Sequence, residues 1–313
     1  MAKGILFKRP TSFDSGNKQS LLNWAKWLKG KTLSDSLSKL PEAHKTIALR
    51  EIAKLGGIKI LPNGQFKGGK GNLGLIVEII HFGLACDNEA KADLFDAGLE
   101  LKVTGIISNS KGIRAKERLS LGMIDYASCM KSNLSFEEDK EVLKSLKGML
   151  LMTYKYSAKD TDPLHLVFGD SFIWEPIKEE REAIIKDWGL IQAMVRSGYA
   201  HMLSERYAHA LGAPPKGAGK DTDFITQPRP QPFTYNQTVD EMLELGVEES
   251  TAREVAKDFS ARDKVPGDSR KGYTLPKDLS LLKRLGKYPA RRRCYSLTNS
   301  YLTKVIRSKT SGS

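Results

Sequence analysis

The stretch ADLFDAGLELKVTGI, residues 92–106, alternates apolar and polar side chains after a glycine turn. From Gly98 to Ile107 the alternation has the period of two of a half-buried strand, with Leu99, Leu101 and Val103 on one face and Glu100 and Lys102 on the other. Residues two apart on a strand point the same way, so Glu100 and Lys102 share a face, and the turn at Gly98 lets Asp93 return to that edge. The spacing therefore predicts a cluster of two acids and an ammonium. Phosphodiester hydrolysis needs a metal ion against a phosphate oxygen, a water deprotonated nearby and a positive group to steady the developing charge. A hard cation such as Mg²⁺ takes oxygen ligands, which makes carboxylates the expected holders.

As a bare pattern D-x6-E-x-K discriminates poorly, because Glu89-Ala90-Lys91 and Glu138-Asp139-Lys140 also satisfy its E-x-K half. Those two lie in charge-rich, loop-like sequence. Glu100 and Lys102 lie inside an alternating apolar strand, where two charges on one face are costly unless that face borders a cleft or a metal. The plainer alternative is an edge strand with a solvated face on which the two are neighbours by accident. Glu78, in LIVEIIHF, is a lone acid in a helix otherwise apolar all round; it reads either as an N-cap or ion-pair residue or as a functional acid.

The rest of the chain sets bounds on this site. At 313 residues it can bury a substantial core, as one large domain or two lobes sharing a cleft. Its 50 Lys and Arg against 37 Asp and Glu give a formal charge of +13, which points to a polyanionic partner without separating DNA, RNA and anionic membrane. The first residues lack the apolar core of a signal peptide, and the longest apolar stretch, Leu73 to Cys86, is interrupted by Glu78 and His81. A cytoplasmic protein without a membrane span is expected. Cys86, Cys129 and Cys294 are too scattered for a disulfide framework or a zinc site, and read as buried or partly buried thiols.

Helical spacing marks Lys18 to Leu40 as a helical entry in two parts broken at Gly30. The glycine- and lysine-rich run from Leu61 to Gly74 leads into an apolar helix over Leu75 to Leu84. Further strands are expected around Leu119 to Ile124 and Gly148 to Tyr154. An amphipathic helix is expected over Pro176 to Gly198, buried through Ile184, Ile185, Trp188, Ile191 and Val195, and continued by a second helix to Leu211. The run Gly212 to Pro232 holds five prolines and reads as a loop, with short helices after it near Thr238 to Leu245 and Glu248 to Phe259. The last stretch is basic, with Arg291, Arg292 and Arg293 ahead of Tyr295 and Tyr301.

Several ordered blocks, LLNWAKWLKGKTLSD from Leu21, KGNLGLIVEI from Lys70, DLFDAGLELK from Asp93, FIWEPIKEEREAIIKDW from Phe172 and RRRCYSLTNSYL from Arg291, together resemble the MutH and Sau-type restriction endonucleases of the PD-(D/E)xK nuclease superfamily. The resemblance extends from about Leu21 to about Lys304. It implies an α/β, restriction-endonuclease-like fold: a mixed central sheet flanked by helices, with two lobes around a DNA cleft. The implied division is a nuclease core over 1–220, an inserted Pro-rich and short-helix segment over 221–289, and a C-terminal basic recognition block over 290–313 that belongs to the core.

Carried over residue by residue, the resemblance makes Asp93, Glu100 and the backbone carbonyl of Leu101 the Mg²⁺ ligands, Lys102 the group that orients or activates the attacking water, and Glu78 an additional acid beneath the site. Lys70 and Gly71 fall on a turn that approaches DNA, and Lys144 or Lys147 falls near the scissile phosphate. Pro215 and Lys216, with Arg292 and Tyr295, fall in the DNA-recognition region. The family's Arg-Pro-Lys element reads Pro214-Pro215-Lys216 here, without its arginine. The segment from about Asp221 to Pro289 is additional, and reads as further base contacts, a partner surface or a tolerated insertion.

The implied activity is that of a type II restriction endonuclease cutting double-stranded DNA at a short site, with GATC the family's site, as a homodimer on DNA beside a cognate DNA methyltransferase. The competing readings are a mismatch-repair nicking enzyme and a catalytically silent DNA-binding module.

Overall fold

The computed structural model describes the chain apart from residues 1–3, 9–12, 62–64, 69–71, 86–91, 111, 132–134, 157–161, 218–220, 230–231, 263–288 and 311–313. The chain opens with three helices, α1 (Lys18–Lys26), α2 (Leu33–Ser38) and α3 (Glu42–Ala53). Asn17 caps the first by accepting the Ser20 amide, and Thr32 with Asp35 forms a reciprocal capping box on the second, which places both starts where the polar residues stand. A short hairpin, β1 (Ile58–Ile60) and β2 (Phe66–Gly68), precedes α4 (Leu73–Val77). The strands β3 (Glu100–Asn109), β4 (Gly112–Ala115) and β5 (Leu119–Met123) follow, then α5 (Tyr126–Cys129), α6 (Lys140–Leu146), β6 (Met149–Lys155), β7 (Phe168–Trp174) and the long α7 (Lys178–Arg196). The remainder is β8 (Leu211–Gly212), β9 (Phe224–Ile225), α8 (Tyr235–Glu244), α9 (Glu249–Arg262), β10 (Ala290–Arg291), β11 (Cys294–Leu297) and α10 (Asn299–Thr310).

The chain divides into two units, Met1–Glu117 with Lys144–Glu175 and Thr303–Ser313, and Arg118–Leu143 with Pro176–Leu302. This division falls elsewhere than 220 and 289: the first unit takes α10 from Thr303 onward, while residues 290–302 and the described part of 221–289 lie together in the second.

The first unit is built on a mixed four-stranded sheet of order β4-β3-β6-β7, in which β3 and β6 are parallel and the outer pairs antiparallel. Leu99 and Leu101 join Leu150, Met152 and Phe168 in a core with residues of the four helices α1 to α4. Burying each such side chain is worth about 1.5–3 kcal/mol. The first of the sequence blocks meets the segment Glu78–Phe82 here. The Trp24 indole donates to the His81 carbonyl at 2.9 Å and His81 Nε2 donates to the Trp24 carbonyl at 3.1 Å, with the rings stacked 4.6 Å apart. Since Nε2 faces a carbonyl it carries the proton, and in the neutral ring Nδ1 accepts from the Ser36 hydroxyl at 3.0 Å.

The apolar helix expected over Leu75 to Leu84 is remodelled: α4 ends at Val77 and the chain continues as a π-turn, Glu78–Phe82, closed by Gly83 at φ 70°. A Cβ on Gly83 would stand 2.5 Å from the Phe7 carbonyl oxygen, so the approach requires glycine.

The second unit holds a three-stranded antiparallel sheet of order β5-β11-β8 and a two-stranded pair, β9 with β10. Helix α7 carries Glu179 and Glu180 in its first turn and Arg196 in its last, matching the helix dipole at both ends, and buries Ile184, Trp188, Ile191 and Val195. The second helix expected up to Leu211 is absent. After Gly198, at φ 83°, there is one 3-10 turn, Ala200–Met202. The amides of His209, Ala210 and Leu211 bond to a side chain, Asp187, rather than to a helical carbonyl. No helix among the described residues is long and apolar enough to cross a membrane.

Candidate active site

Asp93 reaches the start of β3 through a tight turn. Leu94 and Leu99 exchange backbone hydrogen bonds, 2.9 and 3.2 Å, around the 3-10 turn Phe95–Ala97, and Gly98 closes it at φ 66°. The Asp93 carboxylate then accepts the Leu101 amide at 3.1 Å. Glu100 is 5% exposed, and its Oε1 accepts from Lys102 Nζ at 2.8 Å. Its second oxygen, Oε2, is buried without a hydrogen-bond partner. The face carrying these charges is therefore not fully solvated: Glu100 is as buried as Leu99 and Leu101 on the opposite face.

The strand also orients a backbone oxygen. The Glu100 amide donates to the Gly148 carbonyl, on the β6 side of the strand, at 3.0 Å. The Leu101 amide, one residue on, faces the opposite way, toward Asp93. A strand residue turns its N–H and C=O to the same side, so the Leu101 carbonyl faces the edge where the Asp93 carboxylate lies. Among the described residues that edge has no ladder partner over the first residues of β3, where the ladder with β4 begins only at Ile106.

The Asp93 carboxylate and the Leu101 carbonyl thus share one edge, and the Glu100 carboxylate, one residue before Leu101, has a buried oxygen without a partner among the described residues. The donor set is all oxygen, and it fits a hard divalent cation such as Mg²⁺. Among the described residues no three His, Cys, Asp or Glu side chains gather as a metal cluster, so a cation here would draw on the carbonyl as well.

Of the other expected residues, Glu78 is 4% exposed at the start of the π-turn, in the same unit, and its helix α4 packs against β3. π-turns of this kind recur at functional sites. Lys147 is exposed just after α6 and next to Gly148, whose carbonyl pairs with Glu100. A Cβ on Gly148 would stand 2.9 Å from Leu99, so Gly148 is part of the site's framing. Nothing in its sequence neighbourhood marked it. Lys70 and Gly71 lie outside the described residues, as do Cys86 and the Glu89-Ala90-Lys91 triplet. Glu138 of the remaining triplet caps a 3-10 turn, accepting the Ser135 amide and hydroxyl, which occupies it locally.

In the second unit Pro215, Lys216 and Arg292 come together. Pro215 bridges Arg293, the Lys216 amide donates to the Arg292 carbonyl at 2.8 Å, and the Lys216 and Arg292 side chains are exposed.

Tyr295 does not join them. It is 1% exposed, its hydroxyl donates to Asp139 at 2.8 Å and accepts from Gln192 at 2.6 Å, and burial pushes its pKa well up. Its place on β11 turns the ring into the unit's interior. Arg293 is similarly inward: it is 6% exposed, donates to the Ala213 carbonyl at 2.8 Å, and burial lowers its pKa. Of the three consecutive arginines, Arg292 is the exposed one. Cys129 and Cys294 are buried, and burial pushes the Cys129 thiol up to about 12.

Two comparisons with known proteins bear on this geometry. The family model of the DNA mismatch repair enzyme MutH matches residues 82–187, the segment that includes Asp93, Glu100 and Lys102. The type II restriction enzyme Sau3AI of Staphylococcus aureus is 32% identical over 141 residues, which is 44% of this chain and 28% of that protein. The match thus spans little more than a quarter of the relative's length. The segment around the Asp93, Glu100 and Lys102 edge is thus similar to the MutH family model, and part of the chain is similar to a type II restriction enzyme.

Proposed function

We propose that the chain is a Mg²⁺-dependent endonuclease that hydrolyses phosphodiester bonds in double-stranded DNA at a short specific site, as a type II restriction enzyme acting in the cytoplasm. The observation that carries this reading is the buried, unpartnered Oε2 of Glu100, on the edge to which Asp93 is tied and beside an ammonium. A buried carboxylate oxygen with no partner is expensive unless a ligand completes it.

In this reading Asp93, Glu100 and the Leu101 carbonyl hold Mg²⁺. When bound, the ion supplies Lewis-acid stabilisation of the phosphate and a lowered pKa for its water. Lys102, whose side chain is 18% exposed, faces the phosphate side and steadies negative charge as the water is deprotonated. Glu78 supports the site from beneath β3.

Lys147, Lys216 and Arg292, with Lys70, neutralise backbone phosphates. If about six to ten phosphates are met, affinity falls roughly 10³- to 10⁵-fold between low and moderate salt. Base contacts around Pro215 set the sequence read, with GATC the first site to try.

Supercoiled plasmid incubated with the purified chain and Mg²⁺ tests the reading: it predicts cutting, and DNA left intact across many sequences would refute it. One catalytic strand per chain among the described residues favours a second reading, a MutH-like nicking enzyme. A linear product supports restriction by a homodimer or by two successive events, and a nicked circle supports the second reading. A cognate methyltransferase that protects the same site is the partner expected of the first.

A further inference from the structure

Residues 210–216 and 292–298 of the second unit run antiparallel as one ribbon. Thr298 donates its amide to the Ala210 carbonyl at 2.9 Å, Leu211 and Gly212 pair with Leu297 and Ser296, and Cys294 donates to the Pro214 carbonyl at 3.2 Å. Pro215 then bridges Arg293, and Lys216 donates to the Arg292 carbonyl at 2.8 Å. The exposed Lys216 and Arg292 are thereby set side by side at one end of the ribbon.

The ribbon is weak where it matters. Pro214 and Pro215 have no amide hydrogen, so across these two residues their strand cannot donate to the ladder. A slip of one residue in such a ladder turns every side chain to the other face. At this end the opposite strand donates through Cys294 and Arg293 and Lys216 donates back, and the far end is held in addition by a side chain on α7. Asp187 is 4% exposed, and its Oδ2 accepts three consecutive amides, His209 at 3.0 Å, Ala210 at 2.6 Å and Leu211 at 2.8 Å. From the opposite strand, Thr298 Oγ1 donates to the His209 carbonyl at 3.0 Å.

A buried carboxylate is costly, and burial raises the Asp187 pKa in spite of the three amides. The residue nonetheless fixes three consecutive amides of one segment. We propose that Asp187 is a positioning residue for DNA binding, fixing the register of the 210–216 and 292–298 ribbon so that Lys216 and Arg292 meet adjacent phosphates. This rests on the assignment of Lys216 and Arg292 as phosphate contacts made under the proposed function.

The test is affinity for a short fluorescent duplex as a function of salt, with plasmid cleavage kinetics and circular dichroism on the same full-length variants. Asp187→Ala is expected to weaken binding, to raise KM with kcat close to wild type, and to make the slope of log affinity against log salt shallower by roughly one to two phosphate contacts, about 0.9 each. Asp187→Asn, which keeps an acceptor oxygen, restores the wild-type slope. In a Lys216→Ala, Arg292→Ala background Asp187→Ala adds no further loss, because residues acting as one unit are not additive.

A wild-type slope for Asp187→Ala, failure of Asn to restore it, or a full additional loss in that background overturns the proposal. If the Lys216→Ala, Arg292→Ala protein itself keeps wild-type affinity and slope, the phosphate assignment falls and the proposal with it. Should Asp187→Ala not fold, Thr298→Val, which cuts the same segment from its other side, is read by the slope alone: a shallower slope supports the proposal and a wild-type slope overturns it.

Discussion

The Asp93 carboxylate accepts the amide of Leu101 at 3.1 Å, so the acid is bound to the strand residue that lies between Glu100 and Lys102. Its charge and its hydrogen bond do separate jobs, and substitution can part them. Asp93→Asn keeps an oxygen for the Leu101 amide but loses the charge a cation needs. The expected result is a folded, DNA-binding protein whose cleavage rate drops by roughly 10²- to 10³-fold, the loss typical of removing one electrostatic contact of a reaction centre. Asp93→Ala loses both, and should also lose about 1.5–3 kcal/mol of stability for a hydrogen bond to a charged group. Cleavage retained by either variant would defeat the assignment of Asp93.

Glu100 supports a metal-linked prediction with a readout other than cleavage. Its Oε2 is buried and unpartnered while its Oε1 is held by Lys102. A ligand that binds only the folded state stabilises it, by about 2.7 kcal/mol at a hundred times its Kd. Mg²⁺ should therefore raise the melting temperature of the wild-type chain, and chelation should reverse the rise. Glu100→Gln should melt at the same temperature with or without Mg²⁺. An equal Mg²⁺ response in the two proteins would place the ion elsewhere.

Much of this site was legible because its logic is local. The alternation from Gly98 to Ile107 marked β3, and the glycine before it, at φ 66°, allowed the turn that returns Asp93. What alternation could not show was which side of β3 stays exposed. Glu100 and Lys102 read as the polar face of a half-buried strand, but both faces are covered there and Glu100 is 5% exposed.

The misreadings share a cause in long-range hydrogen bonding. Residues 203–211 lie between α7 and β8 and carry helix-compatible residues, but the last three amides of the run bond across to Asp187. In α7 Asp187 sits among the apolar positions Ile184, Trp188 and Ile191, a signal that could have been read as a buried anchor. Tyr295 stands beside three arginines in sequence, yet β11 is buried throughout its length while Arg292, just before it, is exposed.

That inward ring makes its own prediction. Tyr295 donates to Asp139, which also accepts from the Trp188 indole at 2.9 Å, and Gln192 donates to the Tyr295 hydroxyl. Tyr295→Phe strands the Gln192 donor in the interior, and a buried unsatisfied group costs about 1–3 kcal/mol. Thermal denaturation should register that loss, while affinity for duplex DNA measured well below the melting temperature should match wild type. A fall in affinity without a fall in stability would return Tyr295 to the DNA-contact set.

Asp187 titrates with a defined sign. Burial raises its pKa above 3.8, and the three amides it accepts oppose that rise without cancelling it. The folded state therefore holds the proton more tightly than the unfolded state. The stability this group contributes is complete below 3.8 and is lost as pH rises through the folded-state value. At neutral pH the ionised carboxylate is a net cost, which a neutral side chain with the same acceptor oxygen removes. Asp187→Asn should accordingly melt above wild type at neutral pH, with the two curves converging as pH falls toward 3.8. Melting temperature against pH for the two proteins is the measurement, and an Asn variant less stable than wild type at neutral pH would mean that the three amides outweigh burial.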